Sequence, residues 1–222
     1  MSETDYSGYM TASTRTGTRT LTGGDGERYR FDPASFCLEL LLTGGPGRYE
    51  RFEILRTPAD LTAWVVDSRL AASVPLAQDD IRVSAKELAA IKGFRDTMWR
   101  VARAVAHNQP LLAEDLAQIN DSAATTLRPR VDTDSRQLGW VTPISGAQIL
   151  GAAAREAIEL VATGRSARVH ECSADDCQLL FLDTSRSGNR RWCSMSRCGN
   201  RSKVRNYRAR DDRSPAGQSL DS

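Results

Sequence analysis

The chain has 222 residues, 40% of them hydrophobic, and its 30 basic and 28 acidic side chains leave a formal net charge of +2. That length suits one domain plus a small module, and the composition excludes wholesale disorder. No stretch reaches the roughly 20 mostly apolar residues of a membrane-spanning helix. The polar, Ser/Thr/Gly-rich start has no apolar secretory core, so a cytoplasmic protein is expected.

Residues 1–28 read as a flexible tail, because TASTRTGTRT and TGGDGE carry no hydrophobic period. Order is expected from Tyr29. Phe36–Leu42 and Tyr49–Leu55 flank a Gly-Pro-Gly turn at 43–47 and read as a small β-hairpin, with Cys37 a buried apolar residue. Thr57-Pro58-Ala59-Asp60 opens a helix whose inner face is Leu61, Trp64 and Val65. Ser84-Ala85-Lys86-Glu87 is a capping box. The helix it starts places Leu88, Ile91, Met98, Val101, Ala102 and Val105 at a 3.6 period, with Arg95 off the pattern, and stops before Pro110. A third helix is expected over 113–124, and short paired strands at 127–131 and 138–144. A fourth helix runs from an N-cap at Ser145 to about Thr163, with Gly164 in the C-cap position.

The most informative signal comes next: Cys172-x4-Cys177-x15-Cys193-x4-Cys198. Two close cysteine pairs joined by a loop can bring four thiolates tetrahedrally around a zinc ion. Two disulfides or a redox dithiol pair are the alternatives. A structural zinc stabilises a core this small, and four thiolates leave no open position for catalysis. His170 is expected to face solvent and His107 to cap a helix end.

Charge is distributed unevenly. Arg186, Arg190, Arg191, Arg197, Arg201, Lys203, Arg205, Arg208 and Arg210 occur without one acid between them, so this segment carries +9 against −7 for the rest of the chain. Such asymmetry points to a polyanionic partner. Helical steps of about 100° put Arg197, Arg201, Arg205 and Arg208 on one arc able to follow phosphates. Asn200 and Asn206 are candidates for base edges, Trp192 and Tyr207 for stacking.

Cys198-Gly199-Asn200-Arg201, preceded by Arg190-Arg191-Trp192-Cys193-Ser194-Met195 and by Phe181-Leu182-Asp183-Thr184-Ser185-Arg186, resembles the bacterial CGNR zinc-finger family. Phe36-Cys37-Leu38-Glu39-Leu40 and Thr57-Pro58-Ala59-Asp60-Leu61 resemble the start of the ABATE domain that usually precedes that finger. The resemblance implies zinc on Cys172, Cys177, Cys193 and Cys198, and a role in stress-response transcription regulation.

The expected fold class is mainly α (α+β). It comprises a tail at 1–28, a mainly helical ABATE-like domain at 29–164, a CGNR-type zinc finger at 165–210, and a flexible tail at 211–222. The expected function is zinc-dependent DNA binding by a transcription regulator, with the helical domain sensing a ligand or forming a homodimer. The alternative is a zinc-stabilised module that binds RNA or an acidic protein surface. No HExxH, GxGxxG, GxxxxGK or GxSxG motif is present, so no enzyme is expected.

Overall fold

The computed structural model describes residues 16–23 and 26–211, with side chains at 206 and 208–211 excepted. The parts of the expected tails at 1–15 and 212–222 lie outside the described residues.

Within the expected N-terminal tail, β1 (Arg19–Thr22) pairs antiparallel with β2 (Arg28–Phe31). Long-range contacts order this hairpin. Arg19 Nε donates to Glu39 Oε1 at 2.6 Å, its Nη2 reaches the Trp64 carbonyl at 3.0 Å, and its guanidinium lies 4.4 Å over the Trp64 ring. Phe31 is buried among the C-terminal cysteines.

Residues 36–55 also differ from expectation. The expected hairpin is instead α1 (Phe36–Glu39), a 3-10 turn over Leu40–Thr43 and a second over Gly47–Phe52. All six residues Phe36–Leu41 are buried, so an alternating half-buried strand does not describe them. The glycines serve tertiary contacts. Gly45 has φ 157°, and a Cβ there would meet Trp99 Nε1 at 2.3 Å. The Trp99 indole in turn donates to the Gly44 carbonyl at 2.9 Å and stacks on Tyr49 at 3.8 Å.

The capped helices form where their signals stand. α2 (Pro58–Val65) carries a Thr57/Asp60 capping box and buries Leu61, Trp64 and Val65. α3 (Ala85–Ala106) starts at the Ser84/Glu87 box. It is followed by α4 (Ala113–Ser122) and α5 (Gly146–Ala162), the latter capped by Ser145 with Gln148. Thr163 ends α5 in an extended conformation, and Gly164 has no left-handed φ.

β3 (Ile81–Arg82) pairs parallel with β6 (Ile144–Ser145), which sets the starts of α3 and α5 side by side. Glu87 joins them: one carboxylate oxygen accepts from the Ser84 amide at 2.8 Å, the other from the Ala147 amide at 3.1 Å. β4 (Pro129–Val131) and β5 (Leu138–Trp140) pair as expected, antiparallel, but the second strand stops at Trp140 and Ile144 pairs with Ile81 instead.

The main core lies between α1, α2, α3 and α5. α5 approaches its neighbours closely through Gly151, Ala153, Ala154 and Ala157, all buried. A Cβ at Gly151 would fall 1.8 Å from the Thr125 carbonyl oxygen, a backbone atom with little freedom to yield. Gly151→Ala should therefore destabilise by about 1–3 kcal/mol despite alanine's better helix propensity. A thermal melt equal to or above that of the parent would refute this close contact.

Candidate metal centre and nucleic-acid interface

β7 (Val169–Glu171) and β8 (Leu180–Leu182) form the antiparallel pair that carries the first two cysteines. Alternation along β8 sorts its faces. Leu180 and Leu182 join the helical core, while Phe181 faces the cysteine cluster. A π-helical turn at Met195–Gly199 then leads into α6 (Asn200–Asp211) and presents Cys198.

The sulfur atoms of Cys172, Cys177, Cys193 and Cys198 all lie within 4.8 Å of one another, and all four residues are buried. Cys193 Sγ is 3.6 Å from Cys177 Sγ and 3.4 Å from Cys198 Sγ. A tetrahedron with metal–sulfur bonds of about 2.3 Å has edges of about 3.8 Å, close to this spacing. Among the described residues no cysteine is in a disulfide. Cys37 is buried elsewhere, beside Ser35.

Neighbouring donors suit thiolate ligands. The Cys193 amide points at Cys172 Sγ at 3.4 Å, and Arg201 Nη2 stands 3.8 Å from Cys198 Sγ. Hydrogen bonds from Cys177 and Cys193 hold the Cys172 thiol well below its ordinary value, while the bond to Cys172 pushes Cys177 up. A soft divalent cation displaces thiol protons when it binds such a set. This donor set fits a structural four-sulfur metal site.

His170 stays outside the cluster. It is half-buried rather than solvent-facing, its ring 6.0 Å from Phe181. His107 ends α3 as expected, and its Nε2 lies 2.8 Å from Glu171 Oε2.

The CGNR stretch has a physical reason at each position. Cys198 supplies a sulfur. Gly199 leaves room for Met195 and Trp192, whose atoms would meet a Cβ at 3.0–3.3 Å. Asn200 donates to the Ser196 carbonyl at 3.1 Å and so braces the π turn. Arg201 pairs with Asp176 at 2.8 Å.

The basic residues divide by environment. Arg186, Arg191, Lys203 and Arg205 are exposed. Arg190 is half-buried over Phe181 at 4.2 Å and donates to the carbonyls of Trp192 and Cys193, which makes it a brace of the knuckle. Arg197 lies 4.7 Å over the Tyr29 ring. Arg201 and Arg205 point back towards the first cysteine pair, and Arg197 lines the same cleft as Arg201. Arg205 pairs with Asp175 at 2.9 Å. Tyr207 is 71% exposed and Trp192 half-buried. The side chains of Arg208 and Asn206 lie outside the described residues.

Asp175 and Asp176 stand in no recognisable sequence motif. They are the acids that tether α6 to the knuckle. Asp183, within the run 181–186, closes the turn after β8. Burial alone would raise its carboxyl, yet bonds from the Arg190 amide and from Ser185 hold it below the usual range, fixing the turn between β8 and Cys193.

Fold and site together define a helical domain followed by a four-cysteine metal-binding finger. The ABATE family model, described as a putative stress-induced transcription regulator, matches residues 34–164, and the CGNR zinc finger model matches 168–211. The chain belongs to the ABATE family and carries a C-terminal CGNR zinc finger. No curated protein matches it. No helix among the described residues is long and apolar enough to cross a membrane.

Proposed function

We propose that this protein is a transcription regulator that binds duplex DNA through its C-terminal finger, with zinc held by Cys172, Cys177, Cys193 and Cys198. One observation carries the reading. An acid-free segment with nine basic residues wraps a compact four-sulfur knuckle and places Arg186, Arg191 and Lys203 on its outside. The family descriptions support it. Zinc supplies a rigid cross-link here. Four sulfur ligands leave it no open position for a substrate water, which favours binding over catalysis. Reduced thiols suit a reducing compartment, the cytoplasm.

The exposed arginines would position the finger on phosphates. Arg201 and Arg205 take part by exchanging Asp176 and Asp175 for phosphate, while Arg190 stays with the knuckle.

Binding of labelled random-sequence duplex across a salt series tests this. With six to ten phosphate contacts, affinity should fall about 10³–10⁵-fold between 50 and 200 mM salt. A strong chelator should abolish binding. Replacing both Arg186 and Arg191 by alanine should lower the logarithmic salt slope by about 2. Failure of the zinc-loaded protein to bind duplex at low salt would overturn the reading, and tighter binding to single-stranded RNA would redirect it.

A further inference from the structure

A cleft of about 710 Å³ opens between the Gly47–Phe52 turn of the helical domain, the N-terminal hairpin and the finger. Its walls repeat one arrangement. On the helical-domain side, Arg51 lies 4.7 Å over the Phe52 ring, and Arg48 lies 6.0 Å from the Tyr49 ring centre. On the opposite side, Arg197 lies 4.7 Å over Tyr29. The Tyr49 hydroxyl donates to Gln178 Oε1 at 2.8 Å and ties the two sides together.

The charge inside is positive. Arg48, Arg51, Arg197 and Arg201 line the cleft against two acids, Asp175 and Asp176, which are paired with Arg205 and Arg201. Phe52 leaves half of its surface exposed beside these arginines. The volume is within the range of small-molecule sites, which favour domain boundaries.

We propose that this cleft binds a nucleoside monophosphate or a close analogue, a planar ring joined to a phosphate. Phe52, half exposed, offers a face for the ring. The guanidinium forks of Arg48 and Arg51 match a phosphate, which Arg recognises through paired hydrogen bonds. Both halves are needed to use the whole site, so neither a bare phosphate nor an uncharged nucleoside satisfies it. Because Arg197 adjoins Cys198 in the chain, a bound nucleotide contacts the finger directly.

Isothermal titration of the zinc-loaded full chain with adenosine and guanosine 5′-monophosphate, without DNA, tests this site independently of the DNA-binding reading. The expected result is saturable binding at one site, on the order of tenfold tighter than adenosine or inorganic phosphate alone. Arg51→Ala and Arg48→Ala should each weaken it by about tenfold, the loss expected for one charge-assisted contact. Phe52→Ala should weaken it as well. Arg155→Ala, on the exposed side of α5, should leave it unchanged. These side chains are exposed, and thermal melts should match the parent. No saturable binding of either nucleotide overturns the proposal. So does binding that survives Arg48→Ala, Arg51→Ala and Phe52→Ala in folded protein.

Discussion

Cys193→Ser is expected to abolish metal binding and unfold the finger while the helical core stays folded. Cys193 sits at the centre of the cluster, with two sulfurs within 3.6 Å and its amide on a third. Serine's hydroxyl stays protonated at neutral pH and is a poor ligand for a soft cation. The apolar partners on the finger's inner face are few: Phe31, Ala174 and Phe181 are buried beside the four cysteines. In peptides of this kind a structural zinc supplies about 10–16 kcal/mol of apparent binding energy, far more than such a core provides. The outer faces of β7 and β8 are fastened separately, by Val169, Leu180 and Leu182 in the main core.

Amide exchange should therefore show lost protection across 172–199 and retained protection in α3 and α5. Metal analysis should fall from one equivalent per chain to near zero. A variant that keeps one equivalent of metal and the parent melting temperature would refute the four-sulfur site.

Arg95→Met should cost the helical domain about 3–5 kcal/mol, the penalty for breaking one side of a buried ion pair. The Arg95 side chain is only 2% exposed. Its Nη1 and Nη2 bind the two Glu53 oxygens at 3.1 and 2.8 Å, and Nη1 also reaches the Thr43 carbonyl at 3.3 Å. The guanidinium thus pins the two 3-10 turns to α3. Burial would raise the Glu53 carboxyl, but bonds from Arg95, Lys92 and the Leu55 amide outweigh it and bring the value down to about 2.

A depressed carboxylate stabilises the fold above its ordinary pKa, and that contribution disappears as pH falls through the folded value. The gap in stability between parent and Arg95→Met should therefore be full at pH 5–7 and shrink between about pH 4.3 and pH 2. Melting temperatures equal to the parent's, or a gap of the same size at pH 2.5 and pH 7, would refute this account.

The sequence was most legible where its signals act over a single turn. Thr57/Asp60, Ser84/Glu87 and Ser145/Gln148 close hydrogen bonds within four residues, so the starts of α2, α3 and α5 stand where the caps put them. Cysteine spacing likewise announced the four-sulfur cluster. Arg95 was visible as a break in the hydrophobic period, though its partner Glu53 lies 42 residues away and nothing local connects the two.

The misread regions share the opposite character. Phe36–Leu55 resembles two strands about a glycine turn, yet Gly44 and Gly45 are there to admit Trp99 and Glu53. Arg19–Phe31 lacks enough apolar surface to order itself, and forms a hairpin because Glu39, Trp64 and the finger receive it.

By itself the sequence determined the starts of α2, α3 and α5, the existence of two paired strands after α4, the clustering of four cysteines and the concentration of positive charge near the C-terminus. Each depends on neighbours in the chain and on side-chain chemistry that does not change with the fold. Only the tertiary structure decided which basic residues face outward, which brace the knuckle and which meet Asp175 and Asp176. It also decided that Arg48 and Arg51 stand across a cleft from Arg197. These outcomes depend on the distance between residues far apart in sequence, set when the apolar faces of α1, α2, α3 and α5 pack and carry their attached turns with them.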